Sequence, residues 1–166
     1  MSLAVGRRHH GTESLRRNIY CQLLHSEPNR DLVIAARQEI THEVWPILQE
    51  KFKLFISALV IQEASRGNTE AARKRLSAIS GIPVLEISGE ARELAESLIN
   101  TGAIPAESEE DALHIAVAST NGMDFLLTWN FSHINNAFKK SQIIRTIEGQ
   151  GFVPPVICSP EEFLGD

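Results

Sequence analysis

The sequence predicts an α/β fold: three layers, α/β/α, around a mostly parallel central sheet. Short apolar runs at 54–57, 83–87, 124–128 and 156–158 alternate with longer stretches whose apolar positions recur every three or four residues. Strands separated by helices of ten or more residues cannot pair as hairpins, so the connections are crossovers and the strands lie parallel. The runs are apolar at almost every position, as expected for strands covered on both faces.

In chain order, residues 29–52 carry Leu32, Ala35, Ala36, Ile40, Val44 and Leu48 at helical spacing, with Pro46 expected to bend or break that helix. Residues 54–57 form a buried strand that feeds directly into a helix bearing Leu59, Val60 and Ala64, which Gly67 stops. A helix over 69–79 ends at Ser80-Gly81, residues 83–87 form the next strand, and Ser88 caps a helix running through Leu98. Residues 107–119 predict a helix with an acidic first turn, suited to the positive end of the helix dipole, and an apolar face of Ala112, Ile115, Ala116 and Ser119. Asn121-Gly122 ends it, 124–128 is a strand, and helix resumes from about Ile134, with a further helical piece at 141–148. Residues 156–158 read as a last, edge strand.

Composition narrows the functional classes. The 166 residues are 43% hydrophobic and 22% charged, which is the profile of a single globular domain. No apolar run approaches the roughly 20 residues of a membrane span, and the N-terminus lacks the apolar core of a secretory signal, so a cytoplasmic location is the expectation. Cys21 and Cys158 form neither a CxxC pair nor a zinc pattern with the six histidines, and two reduced thiols are expected. The net charge of -5 divides unevenly, with about +3 over residues 1–30. An acidic body opposes tight non-specific binding to nucleic acid, which depends on phosphate neutralisation, yet allows an enzyme that holds phosphate through metal ions.

In open parallel sheets, ligand sites collect at the C-terminal ends of the strands. Glu63 follows the strand at 54–57, Asp111 heads the helix at 107–119, and Thr128 and Asn130 close and follow the strand at 124–128. Carboxylate and amide oxygens converging there suit Mg²⁺ or Mn²⁺, hard cations that retain waters for chemistry. For a lone acid on a helix, a solvated surface charge is the commoner state.

Three segments carry more than spacing. Residues 57–67 (SALVIQEASRG), 109–119 (EEDALHIAVAS) and 124–134 (DFLLTWNFSHI) resemble the acidic-motif segments of PIN domains, closest to the VapC-like branch of toxins from type II toxin–antitoxin modules. The resemblance spans about residues 27–164 and implies a single α/β domain, an acidic pocket for Mg²⁺ or Mn²⁺, and endoribonuclease activity on single-stranded RNA. It also implies a homodimer and an antitoxin protein as partners. Residue by residue, Glu63 matches the second acid, Asp111 the third, Asn130 the position where many members carry a fourth, and Thr128 the small hydroxyl residue beside it. His114, one helical turn after Asp111, either reaches phosphate or the metal's water shell or is a packed, hydrogen-bonded core histidine, the latter being the preferred reading. His133, Asn135 and Asn136 either line the pocket or cap and turn into the next helix. His9-His10, Arg7-Arg8 and Arg16-Arg17 read as a tail.

The resemblance fails at the N-terminus, which divides the chain into an atypical segment, 1–25, and a PIN-like remainder, 26–166. The family's first strand carries its first acid, and counting back from residues 26–32 (SEPNRDL) places Arg17 at that position. A guanidinium there would repel a divalent cation, so metal binding is expected to be weak or lost and catalysis impaired. With one choice of synonymous codons, DNA encoding residues 14–25 shifted by one nucleotide reads Val-Tyr-Val-Glu-Thr-Ser-Ile-Ala-Ser-Tyr-Phe-Thr, the missing motif with its Glu over Arg17. The rival account is natural divergence, with Glu13 or another residue replacing the acid. In either case the apolar residues 18–24 are expected to supply a replacement strand. A catalytically inactive scaffold that binds a protein partner is the alternative function. A receiver-like or nucleotide-binding domain is disfavoured by the lack of a Gly-rich loop after the first candidate strand.

Overall fold

The computed structural model describes residues 16–23 and 32–165; Arg7, Arg8, His9, His10 and Glu13 lie outside them. Five strands form one sheet in the order β3-β2-β1-β4-β5, and every adjacent pair is parallel. Helices complete the three-layer α/β/α architecture, with β1 (Asn18–Gln22), α1 (Leu32–Lys51), β2 (Lys53–Ser57), α2 (Ala58–Ala64) and α3 (Thr69–Ala78) in the first half. The second half contributes β3 (Val84–Leu85), α4 (Gly89–Asn100), α5 (Glu109–Thr120), β4 (Phe125–Thr128), α6 (Ala137–Gly149) and β5 (Val156–Cys158).

Within the expected 18–24 a strand forms at Asn18–Gln22, with Leu24 outside the described residues, and it is the centre of the sheet. Ile19, Tyr20 and Cys21 in β1 are buried, flanked by β2 in the register Ile19↔Leu54 and by β4 in the register Gln22↔Thr128. Side chains alternate across a strand, so Tyr20 and Gln22 share one face while Ile19 and Cys21 share the other. Tyr20 meets His114 of α5, whereas Cys21 lines a small apolar cavity with Thr41 and Trp45 of α1, which fixes α5 and α1 on opposite sides. Both cysteine thiols are free and buried, and burial pushes each up to about 12.

Three local expectations are corrected. Helix α1 continues through Pro46 without a break. Pro46 lies on its exposed face, where water can stand in for the missing backbone bond, while Val44 and Leu48 anchor the other side. The strand expected at 83–87 is only Val84–Leu85, an edge pair against Ile56 and Ser57 with Val84 half exposed. The helix expected from Ile134, with a separate piece at 141–148, is the single α6, because the Asn136 side chain accepts from the Phe138 and Lys139 N–H groups and so sets its start at Ala137. Other boundaries follow their signals. Asn68 and Ser88 cap α3 and α4, and Gly67 takes the left-handed φ of 82° that ends the turn after α2.

Candidate functional site

The strand order reverses direction between β1 and β4, since β2 and β3 lie to one side and β5 to the other. The C-terminal ends of these two strands are the usual ligand position in an open parallel sheet. Gln22 and Thr128 stand directly at that point, and the Thr128 hydroxyl donates to Gln22 Oε1 at 2.9 Å. Thr128 Oγ1 also accepts from the Asn130 N–H at 3.0 Å, and Asn130 Oδ1 accepts from the His133 N–H at 2.9 Å, so these two side chains shape the loop after β4. The loop in turn delivers the His133 ring to Asp111.

Asp111 sits in the first turn of α5 and accepts from His133 Nδ1 at 2.8 Å through Oδ2. A carboxylate only accepts, so the ring hydrogen is on Nδ1. Ser108 Oγ lies 3.1 Å from the same nitrogen, which rules out a serine–histidine–aspartate nucleophile arrangement, where serine and acid must occupy opposite ring nitrogens. Asp111 Oδ1 makes no hydrogen bond among the described residues.

One turn further along α5, on the same face, His114 is fully buried. Its Nε2 lies 2.8 Å from Glu63 Oε1, and its Nδ1 lies 2.6 Å from the Tyr20 hydroxyl, itself 2.7 Å from Ser57 Oγ. Burial, the largest influence, pushes the Tyr20 phenol above its ordinary range, with the negative charge of Glu63 adding to it, so the hydroxyl keeps its proton. Glu63 belongs to the second turn of α2, which starts directly at the end of β2 and so carries the side chain back to the sheet edge. Its Oε2 makes no hydrogen bond among the described residues.

A bidentate ion pair ties the two acid-bearing helices together. Arg66, three residues after Glu63, donates through both terminal nitrogens to Glu110, the neighbour of Asp111, at 2.7 and 3.1 Å. The Arg66 guanidinium holds the Glu110 carboxyl below the usual carboxylate range. Arg75 donates to the Ala64 and Arg66 carbonyls and fixes the turn that carries Arg66.

Two separate hydrogen-bonded sets result, Glu63 with His114, Tyr20 and Ser57, and Asp111 with His133, Asn130, Thr128 and Gln22. Arg17 does not join them. It precedes β1, its carbonyl accepts from the Lys53 N–H, and its guanidinium lies 5.7 Å from the Phe125 ring centroid, at the N-terminal edge of the sheet. The β1 residue at the site edge is Gln22, and the register differs from the counted one because β1 begins at Asn18. His114 does not point outward to solvent; it is the buried, doubly bonded histidine. Asn136 is a helix cap, whereas His133 reaches the site. Nothing in the spacing singles out Tyr20, Ser57 or Gln22. The available signal is a hydroxyl at the end of an apolar strand, Ser57, and the lone tyrosine of the chain inside another.

The donor set is oxygen throughout, which suits a hard divalent cation. Among the described residues two carboxylates each keep one oxygen unbonded, though no group of three His, Cys, Asp or Glu there is arranged to hold a metal ion. The fold and site together define an open parallel α/β protein with two histidine-held carboxylates near the C-terminal ends of its strands. No family model, curated protein or solved structure matches the chain.

Proposed function

We propose that the chain is a PIN-like, VapC-like phosphodiesterase, an Mg²⁺- or Mn²⁺-dependent endoribonuclease of a toxin–antitoxin module, weakened by the lack of a carboxylate at the end of β1. The observation that carries this reading is that Glu63 and Asp111 each have one carboxylate oxygen held by a histidine and the other unbonded among the described residues, with the Arg66–Glu110 ion pair tying together the segments that carry them. Glu63 Oε2 and Asp111 Oδ1 would hold the metal ion, with Asn130 and Thr128 shaping the loop beside it. When bound, the ion would activate water and offset charge on a scissile phosphodiester of single-stranded RNA. The chain's own part is to hold the two carboxylates in fixed orientations, which the His133 and His114 hydrogen bonds supply. A cytoplasmic homodimer that binds an antitoxin protein belongs to the same proposal.

A second reading, a non-catalytic module that binds a protein partner, is favoured by one observation: the β1 residue at the site is the neutral Gln22. The two are separated by Mn²⁺ titration and by cleavage of a mixed-sequence single-stranded RNA, with Glu63→Gln and Asp111→Asn as controls. Cleavage that requires the cation and disappears in both variants supports the nuclease. A folded protein with neither Mn²⁺ affinity nor cleavage supports the module.

A further inference from the structure

Three fully buried polar side chains, Ser57, Tyr20 and His114, form an unbroken hydrogen-bonded row that ends on Glu63. Such a row is costly to enclose unless each member is paired, and here each is. Its direction follows from the chemistry of its ends. Glu63 as a carboxylate only accepts, so His114 donates from Nε2. A neutral imidazole then offers a lone pair at Nδ1, which the Tyr20 hydroxyl fills with its own hydrogen, leaving the phenol oxygen to accept from Ser57. Every hydrogen in the row runs toward Glu63.

We propose that His114 is a positioning residue for Glu63, with Tyr20 and Ser57 holding the imidazole from behind. Pinned at Oε1 by an enclosed ring that cannot turn, Glu63 is left with Oε2 in one orientation. Its side chain is 21% exposed, so it is neither a solvated surface acid nor a sealed one. The row itself stands on the geometry alone; only its benefit to a bound cation rests on the metal reading above.

The test uses the full chain, labelled with ¹⁵N-histidine and ¹³C-glutamate, without metal. His114 is expected as a single Nε2–H tautomer. In Tyr20→Phe its ring signals are expected to broaden or mix and the Glu63 carboxyl signal to move. His114→Gln, whose side-chain amide can stand in for Nε2–H, should hold that carboxyl signal near its original position, and His114→Ala should displace it. An Nδ1–H tautomer in the unaltered chain, or a Glu63 signal indifferent to Tyr20→Phe, overturns the proposal; these two measurements decide it even if His114→Ala does not fold. Mn²⁺ titration then reads the benefit, with an expected loss of about 10–100-fold in His114→Ala, the usual effect of removing a group that orients a ligand, and recovery in His114→Gln. Mn²⁺ affinity equal in all variants overturns that last step. An unaltered chain that shows the tautomer and binds no Mn²⁺ supports the row and overturns the metal reading.

Discussion

Tyr20→Phe removes one oxygen from the centre of the molecule and should cost far more than a surface substitution. The phenol joins Ser57 and His114 at 2.7 and 2.6 Å, and all three side chains are enclosed. Without the hydroxyl, Ser57 Oγ and His114 Nδ1 are both left without a partner where water cannot reach. An orphaned buried polar group costs about 1–3 kcal/mol, so the two orphans together should cost the variant about 2–6 kcal/mol. That is a large part of the roughly 5–15 kcal/mol that holds an ordinary domain together. Ser57→Ala, by contrast, leaves the Tyr20–His114 bond intact and should cost only about 1 kcal/mol. The two losses should not add, because once the phenol is gone, deleting the Ser57 hydroxyl removes an orphan. Urea unfolding of the original chain, both single variants and the double variant measures this, with the dependence on urea unchanged among them. A Tyr20→Phe loss within about 0.5 kcal/mol, the usual range of an exposed site, or strict additivity, would refute the reasoning.

Gln22→Glu keeps an acceptor for the Thr128 hydroxyl and adds a carboxylate at the switch point, so Mn²⁺ affinity by isothermal titration calorimetry should rise at least about tenfold on the proposed function, worth ~1.4 kcal/mol. Glu110 is held below its ordinary range by Arg66. Its folded-state value is thus below the unfolded one, so the stability it contributes is complete at neutral pH and is lost as pH falls through the folded value. The stability difference between the original chain and Arg66→Ala should therefore shrink on acidification below about pH 4, and in high salt, because both partners are half exposed. Pro46→Ala should raise thermal stability by up to about 3 kcal/mol, since the exposed proline interrupts the backbone ladder of α1; a fall in the melting temperature would show that the proline shapes the packing of Val44 and Leu48.

Elements whose signal is local were legible before any coordinates. The runs at 54–57 and 124–128, the caps Asn68 and Ser88, and the acidic first turn of α5 each depend on residues within one or two turns of one another. What competes with a tertiary term was not. The strand at 83–87 shortened because only Val84 and Leu85 find partners on β2 at the sheet's margin. Pro46 was absorbed because the face it disturbs is the wet one. The same division holds in the site. Glu63, Asp111, Thr128 and Asn130 could be assigned to one sheet edge because each follows directly from a strand end or a helix start. Arg17 lies away from these residues because β1, fixed by its pairing with β2 and β4, starts only at Asn18, which leaves Arg17 at the N-terminal edge and Gln22 at the C-terminal one. The contact of Tyr20 with His114 spans 94 positions in the chain, and no local pattern encodes it.

The central place of β1 has a consequence for the chain as it is made. Residues 18–22 leave the ribosome well before their β4 partner, since Gln22 meets Thr128 only after another 106 positions have been added. At roughly 5–20 residues per second this is about 5–20 s during which Ile19, Tyr20 and Cys21 have no neighbour on the β4 side. The strand that the sheet is built around must wait longest for one of its two neighbours, so the sheet cannot close until β4 has been made.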